Sequence, residues 1–189
     1  MIITLTGASG TGKTTIARTL MERLPNALPL MSYTTRSPRP NDLPGDFSFI
    51  SKQEFDEIAS RDEFLWTARV GDTRYATKKE DLKQAFADEG AVRVMILVPE
   101  RLPNVHAFAK ALGMSNHVLS FAIASPGTDI LLKRMRERGD DEIAIEKRIA
   151  ATADFEEKAR TAGVPLVWIQ DEGDLDKKVS AVLRRIKSS

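Results

Sequence analysis

The stretch Gly7-Ala8-Ser9-Gly10-Thr11-Gly12-Lys13-Thr14 constrains this chain more than any other. It fits the pattern G-x-x-x-x-G-K-[ST]. Glycines let successive backbone N–H groups turn inward around phosphate oxygens with no Cβ in the way. A lysine placed as Lys13 is reaches β- and γ-phosphates, and a hydroxyl placed as Thr14 ligates Mg²⁺. The pattern carries this meaning only between a strand and a helix. Residues 1–6 read as a short buried strand, and residues 15–24 as a helix with Ile16, Leu20 and Leu24 on one face. A helix opening on the loop adds free N–H groups and its dipole, which favour the same anion. Gly7, Ala8, Ser9, Gly10, Thr11, Gly12, Lys13, Thr14 and Thr15 are therefore the candidate ATP contacts, with Thr14 the candidate metal ligand.

The rest of the chain alternates strands and helices. Residues 28–31 read as a second strand. Residues 46–50 and 63–70 read as short strands around a helix that a Ser51–Glu54 capping box starts, with Phe55 and Ile58 as its apolar face. A helix over 78–89, with Leu82, Ala85 and Phe86 on one side, ends at Gly90. The largely apolar run 92–98 reads as a central strand, followed by a helix over 101–112 and a strand over 117–124. Pro126 is expected to begin the next helix with Ser125 as its cap. Residues 154–160 continue a helix, 164–170 form the last strand, and the last helix runs from about Gly173 to Lys187. Leu175, Val179, Val182, Leu183 and Ile186 line that helix and, with Trp168, read as core. His106 and His117 read as structural. The alternation implies an α/β fold with a parallel sheet between helices.

Composition narrows the partners. Lys and Arg number 28 against 27 Asp and Glu, a net charge of +1, so bulk charge calls for no nucleic acid and no membrane. The absence of cysteine excludes disulfides and thiolate sites, and two histidines are too few for a histidine metal cluster. No apolar run reaches membrane-spanning length, and the first residues lack a secretory leader's charge and apolar pattern. A soluble cytoplasmic protein of one domain is expected from 189 residues.

Residues 32–40, Ser32-Tyr33-Thr34-Thr35-Arg36-Ser37-Pro38-Arg39-Pro40, hold two arginines among prolines. Prolines stiffen the loop, and held guanidiniums suit bidentate phosphate capture. Alone, the segment also fits an ordinary basic surface loop. It resembles the S-x-T-T-R-x-P-R-x segment of guanylate kinases. Residues 45–55, Gly45-Asp46-Phe47-Ser48-Phe49-Ile50-Ser51-Lys52-Gln53-Glu54-Phe55, resemble that family's G-x-D-Y-x-F-V-S-x-x-E-F. Glu63-Phe64-Leu65 and residues 71–77 match its E-F-[LI]-E-W-A and G-x-Y-Y-G-[ST] in part, and the glycine loop resembles its G-P-S-G-x-G-K-S-T. Residues 131–148 resemble its lid, L-x-x-R-L-x-x-R-G-x-[DE]-x-x-x-[IV]-x-x-R, although read alone they also fit a solvated helix pair.

The resemblance covers nearly the whole chain in order. It implies a P-loop NTPase fold: three layers, a central parallel sheet, an inserted monophosphate-binding lobe and a helical lid. It divides the single domain 1–189 into a core (1–31, 78–124 and 163–189), an acceptor lobe (32–77) and a lid (125–162). It implies transfer of the γ-phosphoryl group of ATP, with Mg²⁺, to a small phosphorylated acceptor, GMP first, by a monomer or weak homodimer. Lys13, Arg134, Arg138 and Arg148 would be catalytic. Ser32, Arg36, Arg39, Tyr75, Thr77 and the position of Phe47 would contact the acceptor.

There are departures. Phe47 stands where the family has a phosphate-binding tyrosine and carries no hydroxyl. The family's guanine-reading glutamate falls on Trp66, or on Leu65 if neighbouring tryptophans are aligned. The family's D-[IV]-D-x-Q-G corresponds to Leu97-Val98-Pro99-Glu100-Arg101, without an aspartate; Glu100 lies one step later as a candidate substitute. The phosphate half of the acceptor site thus keeps the family pattern and the base half does not. Ribose 1,5-bisphosphate phosphokinase, of the same superfamily, accommodates Trp66 and Val98 better; guanylate kinase accommodates Pro38-Arg39-Pro40 and Ser51-Glu54-Phe55 better. Another nucleoside monophosphate kinase and a phosphopeptide-binding module of guanylate-kinase type are the further alternatives.

Overall fold

Ile2, Ile3 and Leu5 are fully buried, which marks β1 (Ile2–Gly7) as a strand covered on both faces. In the computed structural model, which describes residues 1–39, 42, 45–137, 139–170 and 174–188, it is the middle of a five-stranded sheet. β7 (Val92–Ile96) and β8 (Val118–Ile123) pair with it in parallel. β2 (Ala27–Pro29) and β9 (Val167–Ile169) extend the same parallel sheet on the outside. Ile3 and Leu5 face α1 (Lys13–Arg23) and α7 (Leu175–Lys187) through Ile16, Leu20, Val179 and Val182. Ile2 faces the opposite layer, α3 (Lys79–Ala87) and α4 (Leu102–Ala111), through Leu82, Leu102 and Val105. These are the three layers expected from the alternation of elements.

A second sheet, of four strands, comes from residues 32–78. β3 (Ser32–Thr34) pairs in parallel with β4 (Phe47–Phe49) and antiparallel with β6 (Thr73–Lys78), which pairs antiparallel with β5 (Phe64–Val70). α2 (Lys52–Ser60) covers one face with Phe55 and Ile58. The expected capping box is present: Glu54 N donates to Ser51 Oγ and Ser51 N to Glu54 Oε2. α5 (Thr128–Glu137) and α6 (Glu142–Arg160) pack on each other through Leu131, Met135 and Ile145.

The structure corrects the sequence reading in five places. Residues 73–78, read without a strand, form β6 after the two-residue turn Gly71-Asp72, with Gly71 at φ +60. Polar residues lie on both of its faces, so the alternation was masked. The strand expected over 28–31 is β2, which ends at Pro29, and a separate strand, β3, begins at Ser32 in the second sheet. Ser125 caps nothing: α5 starts at Thr128 with Gly127 O accepting from Ile130 N, and Ser125 N donates to Glu156. The last strand shortens to three residues, since Pro165 lacks an N–H. Trp168 is half-buried rather than core, with the Arg160 guanidinium 4.5 Å over its ring. The expected helix start at Gly173 lies outside the described residues; α7 begins at Leu175, capped by the Asp174 carboxylate.

Candidate active site

β1 delivers the chain to the glycine loop at the carboxyl end of the parallel sheet, where open α/β sheets bind ligands. A Cβ on Gly7 would lie 2.9 Å from the backbone oxygen of Ile123 and 2.8 Å from Thr11 Oγ1, so only glycine fits. Gly10 and Gly12 hold φ of +84 and +88, the left-handed turns that aim N–H groups inward. Thr11 Oγ1 donates to Ala8 O at 2.9 Å and closes the loop on itself. Lys13 Nζ folds back and donates to Gly7 O at 2.7 Å and Ala8 O at 2.8 Å. Gly12 caps α1 without a side chain, and the first turn holds no acidic residue. The helix's leading N–H groups and the exposed Thr14 and Thr15 thus remain turned to an incoming anion. A glycine concavity, an ammonium group and exposed first-turn hydroxyls are the donor set a nucleotide's phosphates and their Mg²⁺ require.

α5 reaches this loop. Arg134 Nη1, on α5, donates to Gly10 O at 3.2 Å. Leu131, one turn earlier, packs so closely that a Cβ on Gly10 would lie 3.1 Å from its Cδ2. Arg148, on α6, is bound by the carboxylate of Asp140. Arg138 lies outside the described residues, as do Pro40, Asn41, Leu43 and Pro44 of the arginine loop.

In the second sheet, register decides which side chains share a face. Ser32 opposes Phe47, Thr34 opposes Phe49 and Tyr75, and Ala68 opposes Tyr75. The register slips between Phe64 and Trp66, so Leu65 is the extra residue of a β-bulge and Trp66 joins Thr77 on that same face. Ser32, Phe47, Trp66, Tyr75 and Thr77 therefore line one side, while Tyr33, Ala76, Lys78 and Phe64 line the α2 side. The rings of Phe47 and Tyr75 meet edge-on at 6.3 Å.

Arg36 follows β3 and bends over this face, its guanidinium 4.6 Å above Phe47 and 5.3 Å from Phe49. Asp42 grips it with both oxygens, at 2.5 and 2.8 Å, and also accepts from Arg39 N at 2.6 Å. The Arg36 hydrogen bond is the main cause holding the Asp42 carboxyl below its usual range, aided by the Arg39 N–H. Arg39 itself is exposed. Phe47 is thus a platform under the guanidinium in the place where a tyrosine hydroxyl was missing.

Sequence reasoning passed over Asp42, whose only signal was a carboxylate six residues after an arginine. It also passed over Lys178 of α7. That side chain is 5 % exposed, and its Nζ lies 4.0 Å from where a Cβ on Gly12 would sit. Glu100, the candidate substitute for the missing aspartate, pairs with Lys158 of α6 at 3.1 Å. Among the described residues, no three His, Asp or Glu side chains are grouped to hold a metal ion.

A three-layer parallel sheet with this loop at its carboxyl edge defines a P-loop protein of the nucleotide-phosphate-binding class. The family described as Guanylate kinase matches residues 1–188. The guanylate kinase of Wolbachia sp. subsp. Brugia malayi is 32% identical over 184 residues, covering 96% of this chain and 89% of its own. That of Trichormus variabilis is 35% identical over 150 residues, 78% of this chain and 72% of its own. That of Gloeobacter violaceus is 37% identical over 152 residues, 79% and 70%. The crystal structure of guanylate kinase from Anaplasma phagocytophilum shares the fold, with a TM-score of 0.70 at 22% identity over 100% of this chain and 85% of that one. The chain belongs to the guanylate kinase family.

Proposed function

We propose that this chain transfers the γ-phosphoryl group of ATP to GMP, giving ADP and GDP. The observation that carries the reading is the meeting of Lys13 and Arg134 on the carbonyls of one glycine loop, Gly7, Ala8 and Gly10. Two cations from separate elements converge where a β–γ phosphate junction would rest. The acceptor would lie over the lobe face, its phosphate taken by Arg36 and Arg39 and its base toward Trp66 and Thr77. Ser32 and Tyr75 would add hydroxyl contacts, and Phe47 would stay beneath the guanidinium.

A phosphate oxygen of the acceptor is already anionic, so the attack needs no general base. That oxygen bonds to the γ-phosphorus as the bond to the β–γ bridging oxygen breaks, and ADP leaves with the electron pair. Charge spreads over the transferred group's equatorial oxygens, and positioned cations stabilise it. Lys13 and Arg134 would do so, joined by Arg138 and Arg148 when the lid closes and excludes water. Bound Mg²⁺, held by Thr14 and the donor phosphates, would neutralise part of that charge.

The division into core 1–31, 78–124 and 163–189, lobe 32–77 and lid 125–162 belongs to the same proposal. So does cytoplasmic action as a monomer or weak homodimer, without nucleic-acid or membrane partners; among the described residues no helix is long and apolar enough to cross a membrane. The guanylate kinase relatives do not favour a sugar-phosphate kinase or a phosphopeptide module. Chromatography of products from the full chain with ATP, Mg²⁺ and GMP tests the reading. Equal amounts of ADP and GDP are expected. Inert GMP with turnover of ribose 1,5-bisphosphate, AMP or UMP would overturn it.

A further inference from the structure

Lys178 occupies a place that the pattern of α7 reserves for an apolar side chain. It lies one turn after Leu175 and one turn before Val182, on the stripe that packs with Val179 against β1 and α1. Among the described residues it is the one charged side chain in the buried set, 5 % exposed. A lysine on such a stripe ordinarily runs its stem along the apolar surface and lifts its ammonium into water. This one keeps its ammonium inside, where a charge costs free energy to hold. Its position therefore asks for a use of the charge.

The ammonium reaches the glycine loop. Side chains of a helix lean toward its N-terminus, and α7 starts at the carboxyl edge of the sheet, after β9. Lys178 Nζ lies 4.0 Å from where a Cβ on Gly12 would stand. Gly12 caps α1 and immediately precedes Lys13. Three positive features thus share one end of the loop: the leading N–H groups of α1, the Lys13 ammonium and the Lys178 ammonium. No acidic residue lies in the first turn of α1. A cation at a helix N-terminus works against the dipole, whereas an anion held there gains from the dipole and from both ammoniums.

We propose that Lys178 is a second cation of the glycine loop, which raises the loop's affinity for the donor's phosphates from inside the protein without touching them. It is a positioning residue, acting through the field at Gly12. A buried charge is screened by salt far less than an exposed one, so it serves a site that water and ions reach from the other side. The inference rests on the reading that this loop holds ATP, and concerns the donor alone. It assigns the effect of Lys178 to the phosphate chain and none of it to the adenine or ribose.

The test is calorimetric titration of the full chain with ATP and, separately, with inorganic tripolyphosphate, both with Mg²⁺ and without any acceptor. Lys178→Met keeps a flexible unbranched side chain on the apolar stripe and removes the charge. It should weaken both ligands equally, by about tenfold, the scale of one nearby charge at a protein's effective dielectric. Lys178→Gln should do the same, and decides the matter where Lys178→Met fails to fold by circular dichroism. Lys178→Arg keeps the charge and should hold both affinities within about threefold of the parent, well short of the loss on neutralisation. Unchanged affinities in a folded neutral variant overturn the inference. So does a loss for ATP with none for tripolyphosphate, or a loss in Lys178→Arg equal to that in Lys178→Met. A parent chain that binds ATP while GMP stays inert keeps the inference and loses the phosphotransfer reading. A parent that binds neither ATP nor tripolyphosphate overturns both.

Discussion

Asp42 holds the guanidinium of Arg36 with both carboxylate oxygens, at 2.5 and 2.8 Å, and fixes its plane above the ring of Phe47. The side chains are only 9 % and 16 % exposed, so among the ion pairs of the described residues this one is the most sheltered from solvent screening. Under the proposed reaction, the arginine would thereby be oriented before an acceptor arrives, which would lower the ordering cost of capture. A phosphate would take up the fork of donors that Asp42 now occupies.

Arg36→Lys keeps the charge and loses the planar fork. Steady-state kinetics should show an acceptor KM raised by about tenfold or more, with KM for ATP unchanged. Arg39→Ala should likewise raise acceptor KM far more than ATP KM. Equal effects on the two substrates would contradict the placing of the acceptor over the lobe.

Gly10 joins the loop to α5. With φ +84 and Leu131 Cδ2 3.1 Å from a built Cβ, Gly10→Ala should both strain the loop and push α5 outward. The backbone part should cost about 1–2 kcal/mol. Gly90 has a similar φ of +78 and no neighbour within 4 Å, so Gly90→Ala should lose stability alone. Thermal unfolding beside kcat separates the two: Gly10→Ala lowers both, Gly90→Ala only Tm.

His106 gives the fold a pH dependence. Its Nε2 lies 2.8 Å from Ser120 Oγ, which accepts from Thr4 Oγ1 at 2.7 Å and so has its own proton free for the ring. Burial lowers the His106 pKa from its ordinary 6.5. The unfolded chain then binds the proton more readily than the folded one. Stability from this group is present above the unfolded value and lost as pH falls toward the lower folded value. Urea unfolding at about pH 7.5 and pH 5, on either side of the ordinary histidine value, should show a drop that His106→Gln diminishes.

Much of this architecture was legible in the chain. The glycine loop, the apolar runs of the parallel strands and the Ser51–Glu54 box each act within a few residues, so local pattern suffices. What stayed hidden depends on pairing across distance. β6 carries polar residues on both faces and is a strand because β3 and β5 flank it. The bulge at Leu65 decides that Trp66 faces Thr77, and no one-dimensional alternation shows a bulge. Asp42 matters because the chain folds back on Arg36, and Arg134 because α5 returns to Gly10 from 124 residues away.

Lys13→Ala removes an ammonium that donates to the carbonyls of Gly7 and Ala8 at the surface of the sheet's carboxyl edge, and the fold should survive by circular dichroism. Turnover should fall by about a thousandfold, the scale of losing a key cation in phosphoryl transfer. Near-normal turnover would contradict the phosphate-cradle role.

The central claim is that the loop and the lobe grip two phosphorylated molecules end to end. Calorimetric titration with adenosine and guanosine joined through a five-phosphate bridge tests it most directly. The account predicts binding about a hundredfold tighter than ATP or GMP alone, because the second site is filled at high effective concentration. Affinity no greater than that of ATP alone would contradict it.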